Sequence, residues 1–376
     1  MGHHRGATVP ITAPEPSAGS ETDSHGYGGQ VIHRPEYTVV VPIVSDPFDD
    51  GLGINARRLV QTAIALAADN DGHVVLLGIT TVAGEAAIER VRAHARADAG
   101  ERSEQRLPDA VAERRKQLAR IVEVAGEIDP DVSVRASVRV VSDTTEGILT
   151  ALDSDGQTAV LLLRETERAE SWLLGERTID TVLDEAECDV FVENVGVRNG
   201  EDTLYVPDTD DHTVAPLAAS EAETIESVLL PVGTGPHAAL ASEAARAVAR
   251  AFDASVTVLH VVSPDASEKE RSDARDLLTF AEYVLGSEVD AATELRAASD
   301  PTAAIIDAAR EHDLTSIGSP ERKFELRDLV FDPVQEALVG QNDVSVLMGR
   351  DADRTTRSLY YRYSRAMGGS EADDSD

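Results

Sequence analysis

Lysine is almost absent from this chain: of its 34 basic residues only Lys116, Lys269 and Lys323 are lysines, and 69 acidic residues leave a formal net charge of −35 over 376 residues. Nucleic acid binds through a concentrated positive surface, which the chain lacks over nearly all its length, so a nucleic-acid partner is excluded. Acid excess with so little lysine reads as adaptation to a salty cytoplasm, where self-repulsion is screened over about 3 Å at 1 M salt. An acidic partner-binding surface is the alternative. Cysteine is as scarce. The single Cys188 excludes an intramolecular disulfide and points to a reducing compartment; beside the apolar Val190 to Val192 it reads as a buried strand residue rather than a nucleophile. No run of about 18 apolar residues occurs and no apolar signal core opens the chain, so the expectation is a cytoplasmic protein that is not transmembrane. Aromatic residues make up only 4%, against 42% apolar, which leaves Val, Leu, Ile and Ala to build the cores and suits parallel sheets. Metal spacings such as CxxC and HExxH are missing, as are GxSxG, GxxxxGK[ST] and GxGxxG loops after a strand. The expectation is therefore no catalytic residue, no metal and no enzyme. His260 lies in a strand run, where packing accounts for it.

What is present is an alternation of short apolar runs with helical patterns, made twice. Residues 1–35, rich in Gly, Ser, Pro, Thr and His without periodicity, read as disordered. A first domain, 36–196, opens with the strand Tyr37 to Ile43 and the helix Ile54 to Ala68. It continues with the strand His73 to Ile79 and a charged helical stretch broken near Pro108. Strands at Val132 to Val141, Ala159 to Leu163 and Asp189 to Val192 follow, with helices at Thr144 to Leu152 and Arg177 to Ala186 between them. Residues 197–224 are acidic and turn-rich, a linker. A second domain, 225–350, repeats the order, and residues 351–376 form a basic-aromatic and then acidic tail. Strands alternating with helices predict α/β architecture: two tandem doubly wound parallel five-stranded sheets, Rossmann-like.

Particular strings narrow this. LLPVGTGPH (Leu229 to His237), the Ala-rich stretch Ala238 to Phe252, SVTVLHVV (Ser255 to Val262) and the run Ser299 to Arg322, in which Asp300-Pro301 opens a helix, resemble the universal stress protein family. In the first domain AVLLLRE (Ala159 to Glu165), LLGERTIDTVL (Leu173 to Leu183) and AECDVFVENVG (Ala186 to Gly196) carry the same resemblance. GPH, the LLGE/TIDTVL string and LVFDPVQEAL (Leu329 to Leu338) look most like the tandem haloarchaeal type, the paired cytosolic domains attached to amino acid permeases. The resemblance covers about residues 36 to 350. It implies the adenine nucleotide alpha hydrolase-like fold, and antiparallel pairing of the fifth strands, around Val190 and Val346, within one chain or in a homodimer.

ATP-binding members of that family carry G-x2-G-x9-G-S/T after the fourth strand, where glycines let backbone N–H groups approach the phosphates at a helix N-terminus. Both repeats depart from it. In the first, Arg164 takes the leading Gly position, the second falls near Glu167, Gly175 is kept, and Glu176 puts a carboxylate at the Ser/Thr position. In the second, Gly318-Ser319 is kept, Glu321 replaces the next Gly, and Asp332-Pro333, a good helix start, replaces Gly-Ser. The Asp that holds the adenosine end in the family corresponds to about Val44 and Gly233. Gly233, Thr234 and Gly235 form either a small-anion cradle or a tight βα turn, and His237 either supports a ligand or caps the helix. The candidate binding residues are therefore Arg164, Gly175, Glu176, Gly233, Thr234, Gly235, Gly318 and Ser319.

With those loops degenerate, the expected function is a non-enzymatic regulatory or interaction module without a cofactor, tied to an amino acid transporter in the membrane. The alternative is an ATP- or AMP-binding stress protein with Arg164, Arg168 and Arg322 compensating for the lost glycines. Tail residues Arg354, Arg357, Tyr360, Tyr361, Arg362, Tyr363 and Arg365 either fold onto the chain's own acidic surface or meet a lipid or partner.

Overall fold

The computed structural model describes residues 7–11, 37–44, 56–82, 84–96, 108–152, 157–163, 176–194, 225–235, 237–319, 338 and 344–352. These fall into two compact units that divide between Val190 and Phe191.

In the first unit, β2 (Thr38–Ile43), β3 (His73–Thr81), β4 (Ser133–Val141), β5 (Thr158–Leu163) and the opening residues Asp189 and Val190 of β6 (Asp189–Asn194), within which the unit boundary falls, stand in the order β4-β3-β2-β5-β6. β2 runs parallel to β3 and β5, and β3 parallel to β4. Near-continuous β-branched and Leu runs make such strands, because both sheet faces are covered; every residue of β5 is buried. The helices are α1 (Ala56–Ala68), α2 (Glu85–Arg96), α3 (Asp109–Ile128), α4 (Thr144–Leu149) and α5 (Glu176–Glu185). α1 buries Val60, Ala63, Ile64 and Ala67 at three- and four-residue spacing. Pro108 precedes α3, where its missing N–H costs nothing, and Asp143 caps α4 by accepting from the Glu146 N–H at 2.9 Å. Gly72 is required sterically: a Cβ there would lie 2.0 Å from the Tyr37 carbonyl oxygen, which the His73 N–H bonds at 2.9 Å. The buried Tyr37 hydroxyl donates to Asp189 Oδ2 at 2.9 Å, joining the start of β2 to β6 across 152 residues.

The second unit repeats the design. β7 (Ser227–Pro231), β8 (Ser255–Val262), β9 (Ala291–Ala297), β10 (Leu314–Gly318) and β11 (Val346–Arg350) stand as β9-β8-β7-β10-β11, all neighbours parallel. α6 (Ala238–Phe252) and α7 (Glu268–Leu285) pack through Ala239, Phe280 and Val284. A second apolar cluster joins α8 (Pro301–Ala309), through Ile305, Ala308 and Ala309, to Leu229, Leu259, Ile317 and Val346 of the sheet. Fully burying one such Leu or Ile side chain contributes about 1.5–3 kcal/mol. Alanines along α6 bring that helix close to the sheet; ten of its residues from Ala239 to Ala249 are buried, Arg246 among them, which donates to the Val284 carbonyl at 2.8 Å. Asp313 Oδ2 accepts from the Glu226 N–H, the Ser227 N–H and the Ser227 hydroxyl, at 3.0, 2.9 and 2.8 Å, tying the start of β7 to β10.

The two doubly wound five-stranded sheets expected from the residue pattern are thus both present. One expectation fails. Within residues 1–35, read as disordered, Ala7–Ile11 forms a strand, β1, antiparallel to β4. Thr8, Val9 and Ile11 are strand formers, and Pro10 is tolerated because β1 lies at the end of the sheet order. The tail from residue 353 onward and the whole of the linker, 197–224, lie outside the described residues.

Candidate functional site

In a 3-2-1-4-5 sheet the crevice outside the carboxyl ends of the first and fourth strands is where the chain order reverses, and ligands of this class of fold bind there. In the second unit those ends belong to β7 and β10, and five candidate residues meet at them: Gly233, Thr234 and Gly235 follow β7, while Gly318 ends β10 and Ser319 follows it.

Gly233, Thr234 and Gly235 are exposed. A Cβ at Gly233 or Gly235 would have nothing within 4 Å, and neither adopts positive φ. The turn is open and unstrained, so its glycines uncover main chain rather than enable a special conformation. Gly318 differs. A Cβ there would come within 2.9 Å of the His237 carbonyl carbon and 3.1 Å of the Ala238 nitrogen, so glycine lets β10 abut the start of α6. Ser319 donates its N–H to the Gly349 carbonyl at 2.8 Å, and Ala238 bonds Gly235 O at 3.4 Å.

His237, read as a ligand support or a cap, does something else. It occupies the N-cap position of α6 without a side-chain capping bond, is 5% exposed, and accepts the Asp351 N–H on Nδ1 at 3.0 Å. An accepting Nδ1 carries no proton, so the imidazole is the neutral tautomer with its proton on Nε2. His260 has the opposite polarity: its Nδ1 lies 2.7 Å from the Val232 carbonyl oxygen and donates to it, fixing the strand end just before Gly233. No acidic residue stands in the first turn of α6, leaving its partial positive charge facing the crevice.

In the first unit the crevice lies at the ends of β2 and β5. Arg164 and Gly175 fall outside the described residues, as do Glu167, Arg168, Pro236, Glu321, Arg322, Asp332 and Pro333. Glu176 is the first residue of α5, with its side chain outside them. A residue not anticipated from the sequence acts here: Arg114, on α3, reaches across β3 and donates from Nη2 to the Val44 carbonyl at 2.6 Å. Gly78 makes room for it, since a Cβ there would lie 2.9 Å from Arg114 Cγ and 2.7 Å from Leu118 Cδ1. The one sequence signal was that glycine inside a strand, a mark of close approach. A guanidinium therefore sits at the end of β2, at the position where the family resemblance implies a carboxylate. Among the described residues no cluster of His, Cys, Asp and Glu is arranged to hold a metal.

Strand order and crossovers define a doubly wound α/β domain. Residues 224–350 match the model of the universal stress protein family. That match falls within the second unit. Three solved structures are similar over most of the chain. A putative universal stress protein from Pseudomonas aeruginosa UCBPP-PA14 is 16% identical, covering 88% of this chain and 99% of its own, with a TM-score of 0.48. A universal stress protein from Archaeoglobus fulgidus DSM 4304 is 15% identical, covering 83% and 97%, at 0.45. The cytoplasmic domain of a prokaryotic cation chloride cotransporter is 13% identical, covering 86% and 99%, at 0.43. No curated protein matches the chain. Among the described residues no helix is long and apolar enough to cross a membrane.

Proposed function

We propose that this chain is a non-enzymatic regulatory module of the universal stress protein type, its nucleotide loops degenerate in both repeats, acting in the cytoplasm on an amino acid transporter. The observation that carries this reading is the engagement of a crevice donor in the second unit. The Ser319 N–H, which a phosphate would need, is held by Gly349. His237 Nδ1 accepts the Asp351 N–H and so has no proton to offer a phosphate. A triphosphate entering here has to break existing bonds before it forms its own, and each lost bond offsets much of each gain. In the first unit Arg114 holds the end of β2, and Glu176 opens the helix where a hydroxyl serves the phosphates in the family pattern. The permease link rests on the strings GPH, LLGE/TIDTVL and LVFDPVQEAL.

Calorimetric titration of the full chain with ATP, ADP and AMP in molar KCl tests the ligand half of the proposal. The expected result is no saturable heat at submillimolar nucleotide and no phosphate release from ATP. Submillimolar binding would establish the alternative, an ATP- or AMP-binding stress protein. Recovery of an amino acid permease on the immobilised chain, from a membrane extract at matched salt, tests the transporter half; its absence from the eluate would count against it.

A further inference from the structure

The outer edges of the two sheets are equivalent strands treated differently. Val82 N–H bonds the Val141 carbonyl, so odd-numbered residues of β4 turn their main-chain groups toward β3. Even-numbered ones turn outward. Ala136, Val138 and Val140 accordingly face Ile11, Val9 and Ala7 of β1. Pro10 lies opposite Ser137, at a position where its missing N–H would have pointed away from β4. The first unit's edge is thus closed by an antiparallel strand that carries proline on its free side.

β9 has no such cover among the described residues: it ends the strand order and pairs with β8. Asp290 C=O accepts from Val256 at 2.8 Å and the Ala298 N–H donates to Val262 at 3.0 Å, so even-numbered residues serve β8. Ala291, Thr293, Leu295 and Ala297 turn their N–H and C=O groups outward. Registers match between the units, because His73 N–H bonds Tyr37 O as Ser255 N–H bonds Glu226 O. Val134 and Ala291 then correspond, and the three residues that receive β1 correspond to Thr293, Leu295 and Ala297.

We propose that this outer edge of β9 docks a second copy of the chain, the two β9 strands running antiparallel about a two-fold axis through Leu295. That register has a charge argument behind it. Glu294 and Arg296 flank Leu295 on one face, and the antiparallel pairing sets each Arg296 opposite the partner subunit's Glu294 at the closely spaced, non-hydrogen-bonded positions. Arg296 already chelates its own Glu294 through Nε and Nη2, at 2.7 and 3.1 Å, and donates to the Ala304 carbonyl at 3.1 Å, so its guanidinium is held in place along the edge. Small exposed residues, Ala292, Thr293 and Ala297, leave the edge open to a second backbone. A two-fold contact is self-complementary and closes at two copies.

Hydrogen exchange of the unaltered full chain in molar KCl, read against protein concentration beside sedimentation velocity, tests this without a variant. Dimer formation is expected to slow the Thr293, Leu295 and Ala297 amides while Ala292, Glu294 and Arg296 are unchanged. A chain that stays monomeric to high micromolar concentration, or a dimer that forms without that odd-residue protection, overturns the proposal. Leu295→Pro, which removes an outward N–H and none donated to β8, is expected to give monomer. The register is read by mixing: Arg296→Glu and Glu294→Arg should each weaken self-association by about tenfold, and their mixture should form the heterodimer, with both charge pairs restored. Failure of the mixture to associate while the wild type dimerises would overturn that register.

Discussion

At the scale of single residues, two glycines at neighbouring strand ends are predicted to behave oppositely, because the structure gives them different neighbours. Gly318→Ala places a methyl 2.9 Å from main-chain atoms of His237, which cannot swing aside as a side chain can. Overpacking of this kind costs about 1–3 kcal/mol, expected as a lowered urea midpoint in molar KCl. Gly233→Ala meets nothing within 4 Å at an ordinary φ, so it is expected to be neutral or to stabilise by about 0.4–1 kcal/mol through the unfolded chain. Equal effects of the two substitutions would contradict the picture of a helix seated on β10 beside an open turn. His237 teaches a related lesson. Its partner, the Asp351 N–H, is 114 residues away, so proximity in sequence offered only a cap or a ligand as readings.

At the scale of elements, α7 is predicted to lose its N-terminal anchor in acid. Ser267 and Glu270 form a capping box: the Ser267 N–H donates to Glu270 Oε2 at 2.7 Å and its hydroxyl at 2.8 Å. The main-chain bond first, and the hydroxyl second, hold the Glu270 carboxyl below the usual range. A carboxyl depressed in the fold stabilises above its unfolded pKa, and that contribution is lost as pH falls through the folded value. Glu270→Gln is therefore expected to lower the urea midpoint at neutral pH, with the difference from wild type vanishing once the wild-type carboxyl is protonated. A difference independent of pH would show that the carboxylate is not what matters. The start of α8 was legible beforehand, as was the element order, because both depend on residues a few positions apart: Asp300-Pro301 opens α8, its carboxylate accepting from the Ala303 N–H at 3.0 Å. β1 was not legible. Five residues in a Gly, Ser and Pro-rich stretch show no period, and what makes them a strand is the edge of β4, more than a hundred residues on. Arg114 escaped for the same reason, since helical periodicity marks which face of α3 is buried but not that one arginine spans β3 to reach Val44.

For the whole molecule the governing quantity is the charge of −35. Folding brings these carboxylates closer together than the unfolded chain does, so repulsion opposes the compact state to the extent that salt leaves it unscreened. The screening length is about 3 Å in molar salt and about 10 Å at 0.1 M, so repulsion between surface carboxylates reaches further at the lower salt. Dilution of KCl from molar to about 0.1 M is therefore expected to lower the thermal midpoint continuously, without added nucleotide or partner. Choline chloride at equal ionic strength separates two causes. If it restores the midpoint as fully as KCl, screening is sufficient; if only small cations restore it, the carboxylates are holding hydrated ions. A midpoint indifferent to salt would mean that the acidic surface serves a partner instead, and the search for that partner would then begin on the acidic faces rather than at the crevice.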